Sequence, residues 1–339
     1  MHTGSHYKVR EFLLWTRRSI YKLILIALLP TLLYEVFDLK WLAIPWVPIA
    51  LVGTAAAFIA GFKNTQTYNR LWEARKIWGA IINDSRAWGM MIRDFINNKI
   101  ATSPKSHEEL HVIHTRIIYR HIAWLTALRY QLRQPQDWEN SNKAHFKEYR
   151  KHYSVPEWEV PMEEEIKTFL SVDDLNYILS KKNRATQLLA LQSHELKILR
   201  GDDFIEEHAY VKLESTLKDF YAHQGKAERI KKFPYPRQFS SINLFFIMLL
   251  VVLLPFGLLQ PFAELGKYGV WLTIPFTVVV GWVFMSLEQV GESTENPFEG
   301  GANDIPMAAL SRTIEIDLRD MLDEEELPPA VEAVNKILM

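Results

Sequence analysis

Four stretches of this chain are each about as long and as apolar as a helix must be to cross a bilayer, which takes roughly 20 residues. Residues 19–37 read SIYKLILIALLPTLLYEVF, and 41–62 read WLAIPWVPIALVGTAAAFIAGF. Residues 239–262 read FSSINLFFIMLLVVLLPFGLLQPF, and 268–287 read YGVWLTIPFTVVVGWVFMSL. The 41–62 and 239–262 stretches carry no charge at all, which argues against helices buried inside a soluble protein. The expected fold class is therefore all-α, an integral membrane protein with four transmembrane helices.

Loop charges set the orientation, because Lys and Arg flanking a span stay on the cytoplasmic side. Lys8, Arg10, Arg17 and Arg18 precede the first span, and Lys63 and Arg70 follow the second. Arg229, Lys231, Lys232 and Arg237 precede the third. The two short links carry only Lys40 and Lys267. Both termini and the large middle segment are thus expected in the cytoplasm. The chain divides into residues 1–62 with spans one and two, a cytoplasmic helical region 63–237, spans three and four in 238–289, and a cytoplasmic tail 290–339. A formal net charge of −1 gives no global attraction to nucleic acid. With no cysteine, disulfides, thiolate nucleophiles and Cys-ligated metals are excluded. The first residues lack a signal-peptide pattern, and His2 and His6 are given no function.

The middle is helical by pattern. An amphipathic stretch continues from the second span to about residue 98, and it contains YNRLWEARKIWGAIINDSRAWG at 68–89. Its tryptophans Trp72, Trp78 and Trp88 suit a membrane interface, where the ring is apolar and the N–H seeks water or headgroups. Arg and Lys anchor the same zone. Further helices are expected at about 107–133, 163–170, 173–180, 183–199 and 203–231, with an irregular crossover at 134–161. Asn303 or Asp304 is expected to cap the last helix, with Pro306 in its first turn. The acidic run Asp320, Asp323, Glu324, Glu325, Glu326 reads as a solvated helix end.

Two stretches invite an enzymatic reading. His107-Glu108-Glu109-Leu110-His111 fits H-E-x-x-H, and His114 extends the stripe. Ser106 with Glu109, however, forms a capping box that places the motif in an exposed first turn. Asp84–Ser85–Arg86 has no paired His and no elbow motif in the sequence. The expectation is that the chain is not an enzyme, with an H-E-x-x-H membrane metalloenzyme as the alternative from another class.

Several segments resemble the bestrophin family of ion channels, in its bacterial branch. WTRRSIYKL at 15–23 is similar to the family's approach to its first span, and the 68–89 segment resembles its juxtamembrane helix. AERIKKFPYPRQFS at 227–240 resembles the approach to the third span, and NPFEGGANDIPMAALSRTIEIDLRDML at 296–322 the signature after the fourth. The resemblance implies a homopentamer around one central pore in the bacterial inner membrane, with a narrow neck and a cytosolic aperture. It further implies passage of inorganic ions among membrane lipids, with no cofactor.

On helical spacing Thr54, Phe58 and Phe62 share one face, beside the small residues Ala55, Ala56, Ala57, Ala60 and Gly61. That face could equally meet lipid. The resemblance makes the three the pore neck, where five copies would form one polar and two phenyl rings that exclude water. Phenyl edges favour an anion, so chloride is the expected ion and a sodium/potassium channel of the same architecture is the alternative. Trp72 and Arg75 match positions where neighbouring helices of the pentamer pack. The cytosolic aperture falls to Ile205 or His208, three residues apart. Should it be His208, protonation near neutral pH would add positive charge to the ring. Eukaryotic relatives bind calcium after the fourth span. Here Asn296, Asn303 and Asp304 remain of that clasp, with glycine and alanine in place of most carboxylates, so calcium control is not expected.

Overall fold

The computed structural model describes residues 1–339. Its helices are α1 Val9–Glu35, α2 Trp46–Phe95, α3 His107–Arg133, α4 Ala144–Tyr149, α5 Pro156–Glu159, α6 Met162–Ile166, α7 Val172–Leu179, α8 Arg184–Gly201, α9 Glu207–Lys232, α10 Arg237–Ala263, α11 Thr273–Glu295 and α12 Met307–Asp320. The 134–161 crossover contains the short helices α4 and α5. The first and last residues pair through backbone bonds, Thr3 N to Lys336 O at 2.8 Å and Leu338 N to Met1 O at 2.9 Å.

α2 joins the two halves of the molecule. At 50 residues without a break it is about 75 Å long, far more than the roughly 30 Å hydrocarbon core. Its buried positions recur at intervals of three, four or seven residues, one or two helical turns: Ile49, Ala56, Ala60, Lys63, Thr67, Ala74, Ile77, Ile81, Ser85, Trp88 and Ile92. One stripe therefore packs against α10 and α11 at its upper end and against α9, α12 and α3 at its lower end.

Three helical stretches are long and apolar enough to cross a membrane: Lys40–Phe95, Arg237–Ala263 and Gly269–Glu295. α1 packs beside them, but it is free of charge only between Lys22 and Glu35. Length and composition therefore carry three crossings, not the four expected. Close packing in this layer uses glycine. A Cβ on Gly281 would lie 2.4 Å from Leu23 of α1, and one on Gly257 would lie 2.4 Å from Ile49 of α2. Small residues let helix backbones approach in this way. Trp282 Nε1 donates to Thr16 Oγ1 at 2.8 Å, and Gln289 donates to the Trp15 carbonyl at 3.2 Å, tying α11 to α1.

The larger core lies in the bundle of helices outside the apolar layer and is built around Trp78, Trp88, Trp124 and Phe220, with α3, α8, α9 and α12 around α2. This corrects the interfacial reading of the tryptophans. Trp78 and Trp88 are fully buried in that core, and only Trp72 is exposed. Amphipathic spacing alone does not distinguish a headgroup layer from a protein interior. α12 starts after Pro306, with no side-chain cap. Neither Asn303 nor Asp304 caps it, because both are engaged elsewhere. The acidic end of the chain is mostly exposed, but Glu324 accepts from Tyr119 at 2.9 Å and from Arg319 at 2.6 Å.

Immediately below Phe62, Lys63 turns inward. Its ammonium donates to Glu288 of α11 at 2.5 Å, and both side chains are almost wholly buried. Asn243 of α10 donates to the other oxygen of the same carboxylate. Three helices thus meet on one charged pair, and Gly291 leaves room for the Lys63 stem. Removing one member of a buried pair strands the other charge and costs about 3–5 kcal/mol, whereas replacing both by apolar groups is often neutral. Glu288→Leu should therefore lower thermal stability in detergent strongly, and adding Lys63→Met to it should restore most of the loss. A double variant as unstable as the single one would contradict this account.

Candidate ion pathway and neighbouring sites

Thr54, Phe58 and Phe62 share one face of α2, opposite the stripe that packs inside the chain. Phe58 is 77 % exposed and Phe62 45 %. No residue of the same chain covers Phe58, and Phe62 makes one aromatic contact, its ring centroid 5.9 Å from that of Phe239. The Thr54 hydroxyl donates to the Ala50 carbonyl at 3.0 Å, so its proton is already committed to the backbone. Of the small residues nearby, Ala56 and Ala60 pack inside the chain, while Ala55, Ala57 and Gly61 face outward. In the juxtamembrane turns, Trp72 stacks on Tyr68 with centroids 6.4 Å apart. The Arg75 guanidinium arches over Gly79.

The two aperture candidates separate. Ile205 is buried in the larger core and pairs its backbone with Ile96 just after the end of α2. It cannot line an opening from there, which corrects that expectation. α9 begins only at Glu207, so Ile205 shares no helix face with His208. His208 stands exposed on the first turn of α9.

The remnant of the clasp is engaged in bonds of another kind. Asp304 accepts from the Gly300 N–H at 2.7 Å and faces the Arg133 guanidinium at 3.5 Å. Arg133 also pairs with the buried Glu157 at 3.2 Å. Glu299 accepts from the Asn140 N–H at 2.8 Å and from the Asn296 amide at 3.1 Å. Burial pushes the Asp304 carboxyl up to about 6 and the Glu299 carboxyl well above its ordinary value. Asn303 points away, accepting from Tyr7 at 3.2 Å and donating to Ser293 at 3.3 Å. Calcium takes six to eight oxygens. These carboxylates instead face N–H donors and a buried guanidinium, so the residues present do not fit that ion.

The H-E-x-x-H stretch opens α3 as expected. Ser106 accepts from the Glu109 N–H at 3.2 Å, and Glu109 accepts from the Ser106 N–H at 2.8 Å. His107 and His111 are exposed, while His114 is turned to the Ile96 carbonyl at 2.9 Å. The sequence showed no histidine beside Asp84 and Ser85, but the fold supplies two. His121 of α3 lies 2.9 Å from Ser85 Oγ, and His223 of α9 lies 2.7 Å from Asp84. The Ser85–His121 pair is fully buried among Trp88, Trp124 and Phe220. Burial pushes the His121 imidazole down to about 3. A serine with no path to solvent is not a nucleophile, and the pair is a polar rivet in the core. Sequence alone also does not join Glu288 and Asn243 to Lys63, whose charge by itself speaks only to topology. An acidic residue at the end of an apolar run is the one sequence signal that pointed there.

Comparison with known proteins accords with this architecture. A family model described as bacterial/fungal bestrophin protein matches residues 16–320. The chain is 26% identical over 284 residues to the voltage-dependent anion channel-forming protein YneE of Escherichia coli K12, covering 84% of this chain and 79% of that protein. It is 24% identical over 281 residues to the protein of the same name from Salmonella typhi, covering 83% and 78%. A crystal structure of a bacterial bestrophin homolog from Klebsiella pneumoniae superposes with a TM-score of 0.74 at 22% identity, covering 91% of this chain and 98% of that one. By the family match, which spans nearly all of α1 through α12, the chain belongs to the bacterial and fungal bestrophin family.

Proposed function

We propose that this chain is a passive channel for monovalent inorganic anions, chloride foremost, built from five copies around a central pore in the bacterial inner membrane. α1 is the fourth crossing, and both termini and residues 63–237 lie on the cytoplasmic side. The observation that carries the reading is the bare face of α2. Phe58 is 77 % exposed on a helix whose opposite side is packed throughout its length. The anion-channel names of the relatives support the same conclusion.

Five copies of Thr54, Phe58 and Phe62 around the axis form the neck. A ring of phenyl groups offers no oxygen to replace an ion's hydration shell, so it closes by excluding water. The ring edges carry partial positive charge and favour an anion that does pass. Trp72 and Arg75, which bond little within one chain, pack against the neighbouring copy. His208 faces the cytosolic exit. Calcium has no part, since Asp304 and Glu299 are held by other donors.

Three measurements test this reading. Phe58→Ala or Phe62→Ala should raise chloride flux from liposomes severalfold, and unchanged flux would remove both residues from the neck. His208→Asp should lower chloride flux severalfold, because an acidic side chain at the exit repels an anion. Unchanged flux in that variant would place the aperture elsewhere. His107→Ala with His111→Ala should leave flux unaltered, because an exposed helix start has no part in conduction.

A further inference from the structure

A cavity of about 260 Å³ lies where the start of α1 meets the chain that follows α11. Its wall is aromatic, formed by Tyr7, Phe12, Trp15, Phe146, Tyr149 and Tyr153. Some of these rings contact one another, Phe12 and Trp15 with centroids 6.0 Å apart and Tyr149 and Tyr153 6.2 Å apart. No Lys or Arg is among the lining residues, but two carboxylates are, Glu11 and Glu292. Glu292 is already matched by Lys143 at 2.5 Å. Glu11 accepts one bond, from the Lys8 backbone N–H at 3.0 Å, and it has no cationic partner. The nearby guanidinium groups of Arg17 and Arg18 are drawn outward to Glu148 at 3.0 and 2.5 Å. Burial lowers the pKa of His145, which lines the same wall, and so favours its neutral ring.

We propose that this cavity binds a small organic cation of the quaternary-ammonium class. Ring faces attract such a cation through their quadrupoles, and several rings around one charge form the usual cage for it. Glu11 supplies the compensating charge. Asn303 and Ser293 on the rim can bond a hydroxyl carried by the ligand. The volume falls just below the roughly 300 Å³ at which sites for drug-sized ligands begin, so it holds a small ion and not a whole lipid. The cation can arrive free in solution or as the headgroup of a choline lipid, since the cavity opens at the cytoplasmic end of α1. The inference does not depend on conduction, because binding is read on the protein whether or not it passes ions.

The test is thermal unfolding of the purified full chain in detergent with choline chloride, against sodium chloride at equal concentration. Choline should raise Tm in a saturable manner, and sodium should not. Glu11→Gln keeps an oxygen for the Lys8 N–H, so it removes charge and spares the helix cap. It should weaken choline binding by about tenfold or more. Trp15→Leu, which keeps an apolar wall but loses the cage, should do the same, with equilibrium dialysis of labelled choline as the direct readout. A parallel arm compares nanodiscs of phosphatidylcholine with nanodiscs of phosphatidylglycerol. Stabilisation by the former that Glu11→Gln abolishes, without an effect of free choline, assigns the site to the lipid headgroup. Equal shifts with sodium and choline, or both variants binding choline like the unsubstituted chain, would overturn the proposal. So would the absence of any effect in both arms.

Discussion

The burial of Lys63 against Glu288 sets the orientation of the helix on which the rest of the molecule is built. An ammonium and a carboxylate removed from water are tolerated only while they face one another and their remaining valences are met. Asn243 meets one of these, and the gap left at Gly291 accommodates the Lys63 stem. α2 can therefore sit against α10 and α11 in one rotational setting. That setting puts Ala56 and Ala60 inward and Phe58 and Phe62 outward.

The two ends of α2 then meet different solvents. In the lower half the stripe of Ala74, Trp78, Ile81, Trp88 and Ile92 is closed over by neighbouring helices, and the core there is large and continuous. In the membrane half the common core is small: Leu23, Ile49, Ala56, Ala60 and a few residues of α10. Of the most apolar part of the Lys40–Phe95 stretch, only 11% is buried inside the chain. So much bare apolar surface is stable only where lipid or further copies of the chain cover it. The helical bundle around its lower half thus holds α2 rigid, while its upper half is left bare on one side.

Features encoded within one turn of helix were legible in the sequence. The Ser106–Glu109 box marks the start of α3 because both bonds close within three residues, and the unbroken run into α2 follows from the absence of any Pro or Gly cluster after Phe62. The spacing of Thr54, Phe58 and Phe62 likewise gives a shared face without tertiary information. What escaped was long-range. Ile205 looked like a helix residue beside His208, but its backbone pairs with Ile96 from a distant segment and draws the side chain into the core. Trp78 and Trp88 carried the mark of an interface, and only the packing of α3 and α9 over them shows that they are core. Asp304 looked like a ligand or a cap until Arg133, brought in by α3, took its carboxylate. Each was decided by a partner more than a hundred residues away or on another helix, and no local pattern reports such a partner.

The same pairing constrains how a neck on α2 can move. A helix turns about 100° per residue, so a rotation large enough to take Phe58 off its face would carry Lys63 out of reach of Glu288. An ammonium left alone in that position would cost several kcal/mol, comparable to the whole stability of many domains. In the proposed neck, changes of diameter at Phe58 and Phe62 are therefore cheapest as rocking or bending of α2 with the pair intact, pivoting on the level of Lys63. Above that level the helix meets its neighbours through Ile49, Ala56 and Ala60, an apolar contact that can tilt without stranding a polar group. Below it, Arg70 donates to the carbonyls of Ile230 and Phe233, and Arg86 pairs with Asp317, so the lower part moves only with the bundle. The stiff and compliant parts of the helix meet one residue below the second phenyl ring.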